Sequence, residues 1–443
     1  MKTADYPEIL IPILEMKYPN ENICMNEGTY TIRWKDKVFK SDGCLIFKWL
    51  PRLTVKFRGK LGNDFNYSWI EPFEADLIIE ITSENPKINF KGGIYKIREN
   101  EEFNIICSLA SPIEVGRKGI DVEYVRFEIA NLRSFYGSIV TTRNSGHRNR
   151  LVFENKESKI TIDKYVNFLE LRHNLNETGG YQLLYAGKLE LISEKKISFE
   201  KSSEILEAFS YFLLFINGRR CFPLFRTGIN NSSEVWSSYS SFSNDQYQHV
   251  YSWASDSENN GLEDIWKDFS ELWSNLDDRE SIKTILHWYT EANSNSGYIE
   301  GSIVLIQNAL ELLFHWLISE KMKYINLSEA DNLSASAKIG FLLSFFNINP
   351  SLPVEFDSLP KFAKQNNIIN GPESFTRIRN CIVHPNHKKR KALTEIESRA
   401  KVEALHLGIW YVEIILLKHL NFKGNYINRC KSLKYISHYE EIK

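Results

Sequence analysis

The sequence has none of the closely spaced cysteine pairs that mark a zinc site or a disulfide framework. Its six cysteines are at positions 24, 44, 107, 221, 381 and 430, and we expect them to be reduced, with no metal and no other cofactor bound. A signal-peptide pattern is missing as well. The two most apolar stretches, residues 309–318 and 408–417, each contain a glutamate and are too short to span a membrane. These absences predict a cytoplasmic protein that does not enter a membrane.

A surplus of charge of either sign is also missing. The chain has 55 basic and 56 acidic residues, for a formal net charge of −1, so nucleic-acid binding would depend on local basic clusters. The rest of the composition is ordinary for a globular protein, since 43% of the 443 residues are hydrophobic and 25% are charged. This length and composition are sufficient for two or three domains with sizeable hydrophobic cores.

Short apolar runs without helical spacers fill the first half of the chain. Apolar and polar side chains alternate clearly in residues 122–129, Val-Glu-Tyr-Val-Arg-Phe-Glu-Ile, and Gly, Asn and Asp separate the runs. We predict an antiparallel β-rich domain over residues 1–222, sandwich or barrel-like, that ends in a helix at residues 203–217. Residues 223–260 are rich in Ser, Asn and Tyr with weak periodicity, which predicts a connecting segment.

Residues 261–443 have helical periodicity almost throughout. The helix from Tyr298 carries apolar residues on most of its sides, which predicts a buried position in a bundle. A long final helix is expected over residues 394–420, with Thr394 as its N-cap. The fold class is therefore α+β, with an antiparallel β-rich domain followed by an all-helical bundle.

The segment with the most chemical content is residues 374–391, which reads Ser-Phe-Thr-Arg-Ile-Arg-Asn-Cys-Ile-Val-His-Pro-Asn-His-Lys-Lys-Arg-Lys. Apolar side chains spaced by three and four predict a short packed helix at its start. Pro385 disfavours α geometry at the residue before it, so the helix should end at or just before His384.

Arg379, Asn380 and His384 offer what RNA cleavage by transesterification needs. A base must accept the 2′-hydroxyl proton and an acid must protonate the leaving 5′-oxygen; His384 suits both transfers because histidine titrates near neutral pH. Arg379 suits the phosphorane charge, since a guanidinium is always charged and binds phosphate in a bidentate manner. Asn380, one helical turn before the histidine, would orient the histidine or the phosphate. No metal is required. The competing interpretation is a structural helix end with a surface histidine.

Arg-Asn-x-x-x-His near the end of an all-helical bundle resembles the R-x4-6-H motif of the HEPN superfamily, over residues 265–421. A β-rich domain of this length joined to such a bundle resembles the ApeA family of bacterial phage-defence proteins. The resemblance implies a metal-independent endoribonuclease of an abortive-infection system, with tRNA or another structured RNA as substrate. It also implies a homodimer through the HEPN domain, in which two motifs form one cleft and further oligomerisation stays open, and a phage-derived trigger bound by the N-terminal domain.

Two further groups of polar residues accompany the motif. The candidate RNA-binding residues are Arg377, His387, Lys388, Lys389, Arg390 and Lys391; the basic run would hold the RNA backbone beside the cleft or form a solvated loop. The candidate supporting residues are Gln307, Glu311 and His315. They recur every four residues along an apolar helix and would line the cleft, with Glu311 paired to Arg379, or form a buried polar network.

The alternative function is non-catalytic. In that case the helical bundle is a HEPN-type dimerisation or interaction module that presents a ligand-binding β-rich domain. Trp49, Trp69 and nearby tyrosines are the aromatic residues that would serve such a ligand, although most aromatics in these domains belong to the core. Substitution of Arg379 or His384 would then leave the phenotype intact.

Overall fold

The computed structural model describes residues 6–34, 37–51, 53–60, 78–84, 87–99, 102–109, 113–142, 145–239, 244–294, 298–384, 387–431 and 439–442. At some strand and helix positions, residues 388–390 among them, only the backbone is described. Trp69, Pro385 and Asn386 lie outside the described residues.

The chain divides into two compact units. The β-rich unit comprises Met1–Arg133, Gly137–Ser210 and Cys221–Gln248, and the helical unit comprises Ser134–Tyr136, Tyr211–Arg220 and His249–Lys443. The predicted α+β class, with an antiparallel β-rich region followed by a helical region, is confirmed.

The strands described in the β-rich unit form one antiparallel sheet. They are β1 (Ile23–Trp34), β2 (Lys37–Lys48), β3 (Thr54–Lys60), β4 (Ile78–Glu84), β5 (Lys87–Glu99), β6 (Glu102–Leu109), β7 (Ile113–Gly116), β8 (Tyr124–Ala130), β9 (Ser138–Thr142), β10 (Ser145–Glu154), β11 (Ser158–Lys164), β12 (Leu183–Leu191), β13 (Pro223–Asn230) and β14 (Ser233–Tyr239). Their order is β4-β1-β2-β3-β6-β5-β7-β14-β13-β8-β12-β11-β10-β9. Because β4 pairs with both β1 and β5, the first six strands in this order close into a ring.

The core of the β-rich unit is aromatic. The part of α2 (Phe199–Asn217) up to Ser210 belongs to this unit, and α2 follows the shorter α1 (Phe168–Thr178). Among its residues, the ring centroid of Phe209 lies 5.2 Å from that of Phe153 and 6.3 Å from that of Phe127. Trp49 is also a core residue: it is buried, stacks on Tyr181 and donates its indole N–H to the Glu21 carbonyl at 2.8 Å. A ligand-contacting role for Trp49 is therefore not supported.

Residues 223–260 differ from the predicted connecting segment, because β13 and β14 lie within them and pair with β8 and β7. The sequence does not reveal these strands because consecutive residues in them are buried. Pro223 through Gly228 are all buried, so β13 shows no alternation of apolar and polar side chains. β14 buries Ser237 and Ser238. The hydroxyls of Thr227 and Ser237 satisfy each other at 3.0 Å across the pair, which lets polar residues occupy a buried strand.

The helical unit is built around one apolar helix. Its helices are α3 (Leu262–Ser274), α4 (Leu276–Asn293), α5 (Tyr298–Phe314), α6 (Leu327–Asn332), α7 (Ala335–Phe345), α8 (Ser358–Gln365), α9 (Gly371–Val383), α10 (His387–Glu395) and α11 (Ser398–His419). A π-helical stretch, His315–Lys321, continues α5, and β15 (Asn425–Tyr426) pairs with β16 (Glu440–Glu441). The central helix is α5, which packs against α4, α7, α9 and α11.

Helix α5 and its continuation, Tyr298–Lys321, form one stretch of 24 residues that is long and apolar enough to cross a membrane. This stretch is longer than the apolar run seen in the sequence. In its most apolar part, 61% is buried inside the protein. The contacts of α5 with four neighbouring helices account for that burial, as expected of a core helix.

The end of the bundle differs from the prediction in one respect. The sequence predicts one long final helix with Thr394 as its N-cap, and this prediction of the N-cap is wrong. Thr394 lies in α10 and donates its hydroxyl to the Lys391 carbonyl at 2.7 Å. The long helix α11 begins at Ser398 after Glu397, whose φ of −54° and ψ of 135° interrupt the helical backbone. The basic run is therefore helical, and does not form a loop.

Candidate functional site

Helix α9 carries the Arg-Asn-x-x-x-His motif. Its start is fixed by Asn370, whose side chain accepts the Glu373 N–H at 2.9 Å, and Pro372 in the first turn favours helical geometry. Its apolar face, which includes Phe375 and Ile378, is fully buried. The helix ends at Val383, as the sequence predicts.

Close packing locks α9 in place against α5 and α11. A Cβ atom at Gly408 of α11 would lie 2.6 Å from the Phe375 ring and 2.8 Å from the Ile306 side chain. Only glycine allows the three helices to approach this closely. The motif thus sits on a helix with a rigid support, which is what a catalytic constellation requires.

Arg379 lies half-buried on α9 and has no acidic partner among the described residues. Its Nη1 atom donates to the Asn380 side-chain oxygen at 3.4 Å. Its Nε atom is buried and has no hydrogen-bond partner in the described part of the chain. A buried donor without a partner costs about 1–3 kcal/mol, and the described residues contain other buried donors of this kind, among them the Trp236 and Trp266 indole nitrogens. The geometry leaves this guanidinium with unused capacity to bind an anion.

His384 is the C-cap of α9 and is exposed. Its φ of −104° and ψ of 99° are extended, so its side chain leaves the helical path. Within the described ranges, its imidazole makes no hydrogen bond and no ion pair. Arg379 lies five positions earlier, a rise of about 7.5 Å along an α-helix. Arg379 and Asn380 thus lie on the last two turns of α9, and the exposed His384 follows directly after its end.

The candidate RNA-binding residues lie on α9 and α10, which pack against each other. Arg377, His387 and Lys391 are exposed. The backbones of Lys388, Lys389 and Arg390 are helical, and their side chains lie outside the described part of the structure.

The polar stripe on α5 forms contacts, but not all of those predicted. Gln307 is buried and donates to Glu311 Oε1 at 2.7 Å, so the predicted adjacency of these two residues is confirmed. The predicted ion pair between Glu311 and Arg379 is not formed in the described residues. The Gln307 Oε1 atom is buried without a partner there. Gln307 and Glu311 therefore satisfy each other in part, as in a buried polar network.

His315 contacts a residue that was not predicted from the sequence. The Lys338 ammonium of α7 lies 3.1 Å from His315 Nε2, and Lys338 is only 6% exposed. An ammonium can only donate, so a hydrogen bond between the two groups has Nε2 as its acceptor. Asp331 is 3.9 Å from the same nitrogen. The signal for Lys338 was its place as the one charged residue of α7, residues 335–345.

A cavity of about 490 Å³ opens elsewhere in the helical unit. Its lining includes Trp410, Lys418 and Cys430 and contains none of the predicted site residues. In the described part of the chain, no group of three or more His, Cys, Asp or Glu side chains is arranged to hold a metal ion.

Comparisons with known proteins match both units. Residues 117–250 match the model of the YopA central domain, and residues 275–441 match that of the YopA C-terminal domain. A relative from Bacillus subtilis strain 168, named SPbeta prophage-derived uncharacterized protein YopA, is 25% identical over 421 residues, which cover 93% of this chain and 92% of the relative. No solved structure matches the chain. The chain is thus similar to YopA along nearly its whole length, and the resemblance to the HEPN and ApeA families stays a prediction.

Proposed function

We propose that the helical unit is a metal-independent endoribonuclease that cleaves RNA at an Arg379-Asn380-x-x-x-His384 site. One observation carries the proposal. Arg379 offers a guanidinium with a buried, unsatisfied Nε donor and no acidic partner in the described residues, on the same helix end as an accessible histidine. A phosphate group bound to this half-buried guanidinium would neutralise its charge.

The chemistry follows from these groups. The 2′-oxygen attacks the adjacent phosphorus while a base removes its proton, the P–O5′ bond breaks, and an acid protonates the 5′-oxygen. The products are a 2′,3′-cyclic phosphate and a free 5′-hydroxyl. Arg379 stabilises the negative charge of the phosphorane. Asn380, which accepts a hydrogen bond from Arg379, holds that guanidinium in position.

Two proton transfers fit a homodimer. One motif offers one His384, which serves as base or as acid at a given moment. A second copy of the helical unit, docked so that two motifs share one cleft, supplies the other group. Further oligomerisation would add clefts without changing this chemistry.

RNA binding beside the cleft would use the basic face of α9 and α10. Arg377, His387 and Lys391 are exposed there, and Lys388, Lys389 and Arg390 follow in the same helix. Removal of one cation that binds a phosphate lowers the slope of log affinity against log salt by about 0.7 for single-stranded RNA. Lys391→Ala should therefore weaken RNA binding and its salt dependence without abolishing cleavage. Gln307 and Glu311 bind each other and His315 contacts Lys338, and no hydrogen bond or ion pair joins these three residues to the motif in the described part of the chain.

The biological setting we propose is abortive infection in the cytoplasm, with tRNA as a substrate and the β-rich unit as the sensor of a phage-derived trigger. The relative's name places that protein in a prophage. A resident prophage benefits when its host excludes competing phages, so a prophage origin favours a defence role.

The test is incubation of the full-length protein with total RNA in EDTA, followed by mapping of product ends. We expect cleavage with 2′,3′-cyclic phosphate ends from the wild type. His384→Ala and Arg379→Ala should lose at least about 100-fold in rate. The matched control is His287→Ala, since His287 is an exposed histidine of α4 and its replacement should leave the rate unchanged.

Equal cleavage by His384→Ala and the wild type would remove His384 from the mechanism. If no protein cleaves RNA alone, the same variants are compared in phage-infected cells. Protection that survives both substitutions would favour the non-catalytic interaction module.

A further inference from the structure

Two cysteines that are distant in sequence meet on neighbouring strands of the β-rich unit. Cys24 lies on β1 and Cys44 lies on β2, and both thiols are free. The two strands pair in antiparallel fashion, and the two thiols are hydrogen-bonded to each other. The spacing of the cysteines along the chain does not indicate this pair, because only the strand pairing brings the two side chains together.

The register of β1 and β2 explains the contact. Cys24 pairs with Ile46, which is two residues from Cys44 on the same strand, so the two cysteines are diagonal neighbours. Residues two apart on a strand point to the same face of a sheet. That face is the solvent-facing one, because Leu45 and Phe47 on the opposite face are buried whereas Cys24 is exposed and Cys44 is partly exposed.

A β-bulge lies directly beside the thiol pair. The register of β1 shifts between Cys24 and Asn26, where one extra residue enters the strand. A disulfide needs two Cα atoms within about 4.4–6.8 Å, whereas diagonal neighbours lie about 7–8 Å apart, so bond formation requires the strands to shift by about 1 Å. A bulge is a place where a strand can make such a shift, because its extra residue is not held by the ladder of hydrogen bonds.

The two thiols differ in what surrounds them. Cys24 is exposed, so a reagent in solution reaches it first. Burial, the Cys24 thiol and Glu27 raise the pKa of Cys44 from 9.0 to about 11, and Arg58, which lies opposite Cys44 on β3, acts in the other direction. The effect of Cys24 disappears once the Cys24 sulfur is bound in a disulfide, which makes Cys44 easier to ionise at that moment. The pair therefore has an attacking and a resolving cysteine.

We propose that Cys24 and Cys44 form a thiol–disulfide exchange site, at which a low-molecular-weight disulfide from solution oxidises the pair and so links β1 to β2 covalently. The proposal concerns the β-rich unit and is independent of the nuclease chemistry. A disulfide whose formation requires a shift of the backbone is more easily reduced than an unstrained one. The link therefore suits a reversible modification and not a permanent structural bridge.

The reaction takes place in two exchange steps. The Cys24 thiolate attacks one sulfur of the small disulfide, a mixed disulfide forms, and one small thiolate leaves as the original S–S bond breaks. Cys44 then loses its proton and attacks the Cys24 sulfur, and the second small thiolate leaves as the protein disulfide forms. The protein loses two electrons and two protons, and the small disulfide gains them to become two thiols.

The test is incubation of the full-length protein with oxidised glutathione at neutral pH. The reaction is quenched with acid, the remaining thiols are alkylated in denaturant, and the peptides are mapped without reduction. We expect a disulfide between Cys24 and Cys44 to be at least tenfold more abundant than any other link, and to return to two thiols in excess reduced glutathione. The thiols of Cys221, Cys381 and Cys430 should remain unmodified, because all three are buried.

Two variants separate the geometry of the pair from the mere exposure of Cys24. Cys44→Ser should stop after the first step and retain one glutathione on Cys24, because it removes the thiol that contacts Cys24. The matched control combines Cys44→Ser with Asp42→Cys. Asp42 is exposed on the same face of β2 and pairs with Thr29, farther along β1 from Cys24, so this variant should form at least tenfold less link to Cys24 than the wild type.

Three results would overturn the proposal. In the first, the wild type accumulates a stable glutathione adduct on Cys24 without a link to Cys44, which would mean that the strands do not make the required shift. In the second, the Asp42→Cys control links to Cys24 as readily as the wild type does, which would mean that the contact of the native thiols is irrelevant. In the third, neither cysteine of the wild type reacts. Mapping of the wild type decides the first and third outcomes even if a variant fails to fold.

Discussion

Glu128→Gln should remove the pH dependence that one buried carboxyl group gives to the free energy of unfolding of the β-rich unit. Burial raises the pKa of Glu128 from 4.5 to about 8, against the opposing effects of Tyr165, the Ile13 amide and Arg126. The protonated acid fits its surroundings. It can donate to the Tyr165 oxygen at 2.6 Å, which frees the tyrosine proton for the Leu14 carbonyl at 2.9 Å. Glutamine has the same shape, with an amide group as donor and a carbonyl as acceptor.

The size of the effect follows from the shift. Because the pKa is raised, the folded protein holds this proton more tightly than the unfolded chain does. The stabilisation is fully present below the usual pKa of 4.5 and is lost as the pH rises through about 8. Each pKa unit of difference between the folded and the unfolded state contributes about 1.4 kcal/mol. From about pH 5 to about pH 9, the free energy of unfolding should therefore fall by roughly 4 kcal/mol through this group.

The assay is urea denaturation across that pH range, with unfolding of the β-rich unit followed by oxidative footprinting of β8. Glu128→Gln should flatten the profile and be several kcal/mol more stable than the wild type near pH 9. Glu154→Gln, a change at an exposed glutamate of β10, should keep the wild-type slope. A wild type with flat stability, or a Glu128→Gln variant with the wild-type slope, would refute the reasoning.

Three further predictions concern the helical unit. Gly408→Ala should destabilise it by about 1–3 kcal/mol, because the added methyl meets the Phe375 ring, and a thermal melt would detect the change. Glu413→Ala should cost about 3–5 kcal/mol in urea denaturation, since it leaves the buried Arg429 guanidinium without the carboxylate that binds it; an unchanged midpoint would contradict this. Burial and a nearby lysine lower the pKa of His419 from 6.5 to about 4. The stabilisation from the neutral histidine is present above about pH 6.5 and should be lost as the pH falls toward 4. His419→Gln should lessen that loss in thermal melts recorded at a series of pH values.

Much of the motif's local structure could be predicted from the sequence, because local sterics decide it. Pro385 restricts the backbone of the residue before it, and α9 accordingly ends just before His384. Gln307 and Glu311 lie one turn apart on a helix, and their contact follows from that spacing. The helical bundle could likewise be predicted from its apolar periodicity.

What could not be predicted depends on partners distant in sequence. Glu311 accepts a hydrogen bond from Gln307 of its own helix and forms no ion pair with Arg379 in the described residues, an outcome that the spacing of residues along α5 does not decide. Lys338 and His315 lie on different helices, and their contact depends on how those helices pack. Residues 223–228 of β13 and 236–238 of β14 are buried in succession, and burial of consecutive residues erases the alternation that marks a strand. The contacts between residues 6–16 and the sheet join positions more than 100 residues apart, and no local pattern records them.

Residues 6–16 also have a consequence for how this protein is kept from aggregating. The sheet closes on itself at one end, so in the described strands β9 is left as its open edge. That edge is covered: the Ile9 N–H donates to the Thr141 carbonyl at 3.1 Å, and the Thr141 N–H donates to the Pro7 carbonyl at 2.9 Å. Unpaired edge strands recruit other chains. Any event that draws residues 6–16 away from β9 therefore uncovers a template for strand addition, where a second copy would add its own residues 6–16 and become domain-swapped.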